Sequence, residues 1–283
     1  MNLKEMLSFF SSEKELKTIW KVERDGKGGY LAGTAHFFPY SLKKSLLHYI
    51  RKAKVVLFEG PLDEQSMNQV IENGSQAGGA TALIEALDAQ TIEKIKKSAG
   101  SLFRESDSFP LILPFAAKVQ NHLHAHFQNL RPWMAFFHIW SNFLKERGWK
   151  HSVDLEAFNI ATSIRKEIIF LETIEEQIAG MEGIPLERFT NFFKKIDQWE
   201  AWAKSHARLY LQGDIEAIMA VISEFPSRCP SIVENRDPVM FARMKGFFEK
   251  GQVIAFVGTS HIPGIKKRFL EAGYKVTGIT GDE

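Results

Sequence analysis

The sequence predicts an α/β protein with a mixed, partly parallel sheet and a large helical insertion. Three observations lead there. Short apolar runs end in chemically active side chains at four places: YLAGTAH (30–36), VVLFE (55–59), IIFLE (168–172) and VIAFVGTSH (253–261). A helical pattern separates the first two at crossover spacing, which makes those strands parallel. The tetrapeptide Gly-Thr-small-His occurs twice, as GTAH at 33–36 and GTSH at 258–261. The sheet is therefore read as two strand–GxxH–helix–strand units.

The elements follow in order. KTIWKV (17–22) reads as a strand, and the RDGKGG stretch after it carries Asp-Gly, a strong hairpin signal. YLAGTAH is the returning strand. SLKKSLLHYIRKA (41–53) has Leu42, Leu46, Leu47 and Ile50 at helical spacing, with Ser41 as the expected N-cap. KVVLFEG (54–60) is a short apolar strand. From 62 to 152 the pattern is helical or loop-like, with NGSQAGGA (73–80) as a connection and FPLILPF (109–115) resisting assignment. Asp154 opens an amphipathic helix, EIIFLE (167–172) is a strand, and helices fill 173–211, 214–225 and 233–250. QVIAFVGTSH (252–261), a helix ended by Gly273, and YKVTGI close the chain. The reading is one domain, 1–283, with a helical insertion at about 62–152 and 173–250.

Composition narrows the function classes. Apolar residues at 45% and charged residues at 25% suit a globular protein with a sizeable core. A net charge of +2 does not indicate a polyanion-binding role, so no nucleic acid partner is expected. The single cysteine, Cys229, excludes an internal disulfide and fits a reducing compartment. Charges interrupt the first residues, which do not read as a signal peptide, and no apolar run reaches a membrane span. PWMAFFHIWSNFL (132–144) is too short and reads as a buried helix. A cytoplasmic protein without a membrane span is expected.

The functional argument rests on strand ends. In a mostly parallel sheet the carboxyl ends share one edge, where ligands bind. His36, Glu59, Glu172 and His261 would converge there. Two imidazoles with a carboxylate form a recurring ligand set for divalent metals, so a metal (manganese, cobalt or zinc) on His36, His261 and Glu59 is one reading. The bland reading is that these residues cap loops and helices. HLHAH (His122, His124, His126) has metal-like spacing but no HExxH glutamate and no strand before it, and is read as surface. His48, His138, His151 and His206 are isolated. No GxSxG, P-loop, GxGxxG or paired CxxC occurs.

The ordered set of motifs resembles one family. GTAH, LFEGP, VDLEAFNIATSIRKEIIFLETIEEQ, ENRDPVMFARMKGFFEKGQVIAFVGTSHIPG and LEAGYKV resemble, in order and over about 31–276, the TraB/PrgY/GumN/Tiki group. That group lies in a wider superfamily with erythromycin esterases and ChaN-like proteins. The resemblance implies a sheet core with a helical insertion, and a site carried by His36, Glu59 and His261 with Glu172 and Arg236 in support. Tiki-type relatives are metal-dependent peptidases, others bind or shut down peptide pheromones, and erythromycin esterases open a lactone. The chain departs from the family at the helix start, where Asn235 precedes Arg236 and Asp237 follows, and it lacks the membrane segments of several relatives.

Three functions are therefore expected to compete. The first is a metal-dependent hydrolase acting on a peptide, with Arg236 stabilising an oxyanion and Glu172 holding a ligand or protonating the leaving amine. The second is metal-free, esterase-like hydrolysis with His36 as general base and Glu59 orienting or activating water. The third is a protein that binds a peptide or small ligand without cleaving it.

Overall fold

The computed structural model describes residues 14–75, 83–98 and 130–279. The HLHAH and FPLILPF stretches lie outside the described residues. Strands β1 (Ile19–Arg24) and β2 (Lys27–Thr34) form a hairpin. Its two turn residues, Asp25 and Gly26, have φ of 54° and 72°, the left-handed pair that a tight hairpin turn demands. Helix α1 (Lys43–Lys52) leads to β3 (Val55–Phe58). Helices α2 (Glu64–Gly74), α3 (Ala89–Ser98), α4 (Pro132–Glu146) and α5 (Val153–Ser163) precede β4 (Glu167–Phe170). Helices α6 (Ile174–Glu182), α7 (Leu186–Lys194), α8 (Trp199–Gln212), α9 (Ile215–Val221) and α10 (Asp237–Lys250) separate β4 from β5 (Val253–Gly258). Helix α11 (Ile262–Glu271) and β6 (Lys275–Gly278) complete the described chain.

Among the described residues the sheet has six strands in the order β4-β3-β5-β2-β1-β6. Strands β4, β3, β5 and β2 run parallel, and the hairpin partner β1 and then β6 pair antiparallel at the other side. β5 lies between β2 and β3, so the α1 crossover passes over it. Its first five residues are buried, the near-continuous apolar run of a strand covered on both faces. The register aligns the carboxyl ends: Phe58 faces Phe170 on one side and Phe256 on the other, and Thr34 faces Gly258. His36, Glu59, Glu172 and His261 all follow within three residues of those ends. The two GTxH segments end adjacent parallel strands, but the sheet is not built from two like units: the helix after the first leads to β3, parallel to and beyond β5, and the helix after the second leads to β6, antiparallel to and beyond β1.

The helical layer has its own aromatic core. Trp140 on α4 meets Trp199 on α8 at 5.2 Å between ring centroids, and Phe192 on α7 stacks on Trp199 at 4.8 Å. This is the burial expected of the WMAFFHIW stretch, and Cys229 is buried as well. No helix among the described residues is long and apolar enough to cross a membrane.

Two local expectations change. The N-cap of α1 is Leu42, not Ser41, and its N–H donates to the Glu156 carboxylate at 3.1 Å. Ser41 lies one residue before the cap, and its hydroxyl accepts from the Lys43 N–H at 3.4 Å and donates to Glu156 at 3.2 Å. Asp154 does not begin its helix: Ser152 is the N-cap, accepting from the Leu155 N–H at 3.4 Å, so the aspartate is free for another partner.

One bond ties the helical layer to the end of β2. The buried Tyr210 hydroxyl on α8 donates to the Gly33 carbonyl at 2.6 Å, and the Thr18 hydroxyl reaches the same oxygen at 3.0 Å. Tyr210→Phe is expected to lower stability by about 1 kcal/mol, read as a lower urea midpoint with an unchanged slope. An unchanged midpoint would show that the bond carries no net weight.

Candidate active site

Beyond the strand ends, a buried guanidinium organises the carboxylates. Arg236 sits on the turn before α10. Its Nη2 donates to Glu59 Oε1 at 2.6 Å and also to Glu172 Oε2. Its Nε lies 2.9 Å from Glu172 Oε1 and 3.1 Å from Oε2. One planar donor set therefore holds two carboxylates from the ends of adjacent parallel strands. Glu59 is fixed on its other side by the Gly258 N–H, 2.8 Å from Oε2.

His261 is the second cation of the cluster. Its Nδ1 donates to Asp237 Oδ1 at 2.7 Å, and its Nε2 stands 3.5 Å from Glu59 Oε1. The ring is buried, and so is Asp237 at the start of α10. Gly264 allows the pairing: a Cβ there would fall 1.8 Å from Asp237 Oδ2.

His36 has the same arrangement in the open. Its Nδ1 donates to Asp154 Oδ2 at 2.6 Å, and the Ser152 hydroxyl holds the other oxygen at 2.9 Å. A short backbone pairing sets the two segments side by side, with Phe38 and His151 exchanging N–H to carbonyl bonds and Val153 N–H donating to the Ala35 carbonyl. The imidazole side chain is 60% exposed, against 2% for His261. Of the two, His36 is the ring open to solvent.

The electrostatics follow from these contacts. The Asp154 carboxylate beside it raises the His36 pKa above the ordinary imidazole value. Burial would lower His261, but Glu59 and Asp237 outweigh it and raise its pKa to about 9. Burial would likewise raise Glu59, but His261 and Arg236 hold it well below the usual carboxylate range. In Glu172 burial wins, and the pKa rises despite Arg236.

Each site residue named from the sequence is thus located at this edge. Arg236 has its guanidinium engaged by two carboxylates rather than turned to an open oxyanion position, and Glu172 is buried against it. The sequence reading missed Asp154 and Asp237, which orient the two histidines. The signal available was weak: each is an acidic residue in the first turn of a helix, where the helix dipole alone accounts for it.

The fit to a divalent ion is partial. Each imidazole gives Nδ1 to a carboxylate and keeps Nε2 away from it, as metal-binding histidines do. Arg236, the Gly258 N–H and, at 3.5 Å, His261 already engage Glu59, which leaves it only part of its acceptor capacity. No group of three or more His, Cys, Asp or Glu side chains among the described residues is arranged to hold a metal ion.

Compared with known protein families, the chain matches the TraB/PrgY/gumN family over residues 18–278 and belongs to it. A comparison with curated proteins finds no match.

Two outcomes follow from the buried charges. Arg236→Met leaves the buried Glu172 without its cation and Glu59 with only His261 and the Gly258 N–H, and is expected to cost about 3–5 kcal/mol in denaturant unfolding, with Arg236→Lys restoring part of it. A loss below about 1 kcal/mol for Arg236→Met would contradict the buried-pair account. The raised pKa of His261 stabilises the fold below the ordinary value of 6.5, and that contribution is lost as pH rises through about 9. His261→Gln should flatten the decline in stability over that interval, measured as melting temperature against pH.

Proposed function

We propose that the protein is a hydrolase that cleaves an ester or amide bond by attack of water on the carbonyl carbon, with His36 as the general base. The observation that carries this reading is the His36–Asp154 pair: an exposed imidazole whose Nδ1–H is held by a buried carboxylate, leaving Nε2 open. That orientation fixes the tautomer needed for proton abstraction. Membership of the TraB/PrgY/gumN family supports hydrolase-type chemistry.

His36 Nε2 takes a proton from the water as its oxygen bonds to the carbonyl carbon. The same proton then passes to the leaving alcohol or amine as its bond to carbon breaks. Glu59 orients the attacking water through lone pairs left over from Arg236 and Gly258, since a carboxylate has about four acceptor positions. The depressed pKa of Glu59 suits it to orienting the water rather than to deprotonating it. Arg236, His261, Glu172 and Asp237 are positioning residues that hold Glu59. In this reading the two GxxH segments are one device used twice, once for the open histidine and once for the buried one.

A metal-assisted version with manganese, cobalt or zinc on His36, His261 and Glu59 would need His261 Nε2 and Glu59 Oε1, 3.5 Å apart, to separate around the ion. The proposed reaction proceeds on the chain's own residues.

His36→Ala is expected to lower kcat/KM by about 10²–10⁴, tested with activated esters and peptides under product detection by mass spectrometry. The base must be unprotonated, and Asp154 raises its pKa. The rate should therefore climb about tenfold per pH unit through neutrality and level off only on the alkaline side. Asp154→Asn should shift the rising limb to lower pH and reduce the maximum rate. A falling limb over the same range would assign His36 as an acid, and a flat profile would remove it from the chemistry.

A further inference from the structure

The site's carboxylates are all accounted for, but one of its neighbouring cations is not. Glu59 and Glu172 are held by Arg236, Asp237 by His261, and Asp154 by His36. Arg228 stands against the turn that carries His261. Its Nη1 donates to the Ser260 carbonyl at 3.1 Å, and among the described residues it has no carboxylate partner. Glu224, an acid on the same loop, is taken by Lys195 at 2.8 Å.

Arg228 is held in place by its surroundings. Arg188 on α7 clamps the loop before it, donating from Nε to the Pro226 carbonyl at 3.0 Å and from Nη2 to the Ser223 and Phe225 carbonyls at 3.2 and 2.7 Å. A half-buried guanidinium anchored at one nitrogen on a clamped loop has lost rotamer freedom in advance, which lowers the cost of binding an anion. Ser260 joins this position to the site. The place a Cβ would occupy on Gly258 lies 3.3 Å from Glu59 Oε2, 3.6 Å from His261 Cδ2 and 3.8 Å from the Ser260 hydroxyl oxygen. Glu59 Oε2, His261 Cδ2 and the Ser260 hydroxyl oxygen therefore all lie within 3.8 Å of one point beside Gly258. That hydroxyl has no hydrogen-bond partner among the described residues.

We propose that Arg228 and the Ser260 hydroxyl bind a free carboxylate on the substrate, so that the substrate class is an acyl compound or short peptide bearing a carboxylate near the scissile bond. Arginine suits this task because its planar donors match both carboxylate oxygens, and a hydroxyl can donate a further bond. The inference rests on the hydrolase reading for the word substrate, but the binding site does not require turnover.

The test uses the full chain and a panel of N-acetyl dipeptides, each as the free acid and as its C-terminal amide, with binding measured by calorimetry. Wild type and His36→Ala are expected to bind the acids at least about tenfold more tightly than the amides. Arg228→Met should abolish the difference, Arg228→Lys should keep part of it, and melting curves establish that both variants are folded. Equal affinity for acid and amide, no binding of any acid, or a preference that survives Arg228→Met would overturn the inference. Mass spectrometry of the same mixtures separates the two claims. Acids bound through Arg228 yet left intact would retain the site and contradict the hydrolase reading. Acids and amides cleaved equally well would do the reverse.

Discussion

The site depends on a single buried guanidinium. Glu59 and Glu172 end neighbouring parallel strands, and without a cation between them two carboxylates would share one poorly solvated edge. Their mutual repulsion and desolvation are offset by Arg236, which lies on the turn before α10 and bonds to both. The contact chain continues from Glu59 to the Gly258 N–H on β5 and to His261, and from His261 to Asp237 back on α10. Three strands and a helix are thereby locked together by charge at the edge where the register has already aligned them.

This arrangement divides the edge into a closed half and an open half. In the closed half, His261, Arg236, Glu59, Glu172 and Asp237 satisfy one another. In the open half, His36 has one buried partner and a ring exposed to water. Geometry of this kind favours a division of labour in which the closed half is preorganised and the open half exchanges protons. The Tyr210 bond to Gly33 reinforces the open half by fixing the strand end from which His36 emerges.

Much of this was legible in the sequence. Buried parallel strands are short continuous apolar runs, so VVLF, IIF and VIAFV announced themselves, and Asp-Gly fixed the hairpin. The alignment of strand ends followed from parallel pairing, which is why His36, Glu59, Glu172 and His261 could be expected at one edge. The histidines' carboxylate partners were not legible. Asp154 meets His36 only because residues 151–153 pair with the segment after β2, and Asp237 meets His261 only because Gly264 lets α11 approach α10. Neither contact has a periodicity to reveal it. The same holds for the start of α1, where Glu156, 114 residues beyond Leu42, accepts from the Leu42 N–H and the Ser41 hydroxyl. The engagement of Arg236 by two carboxylates was hidden for the same reason, since an arginine near a helix start has many available partners.

The most direct measurement is turnover by protein stripped of metal with a strong chelator and shown metal-free by elemental analysis, on any ester or peptide the untreated protein cleaves. The account predicts an undiminished rate that is still abolished by His36→Ala. A rate lost on stripping and restored by manganese, cobalt or zinc would contradict it, because the cluster around Arg236 would then have to open to make a metal centre.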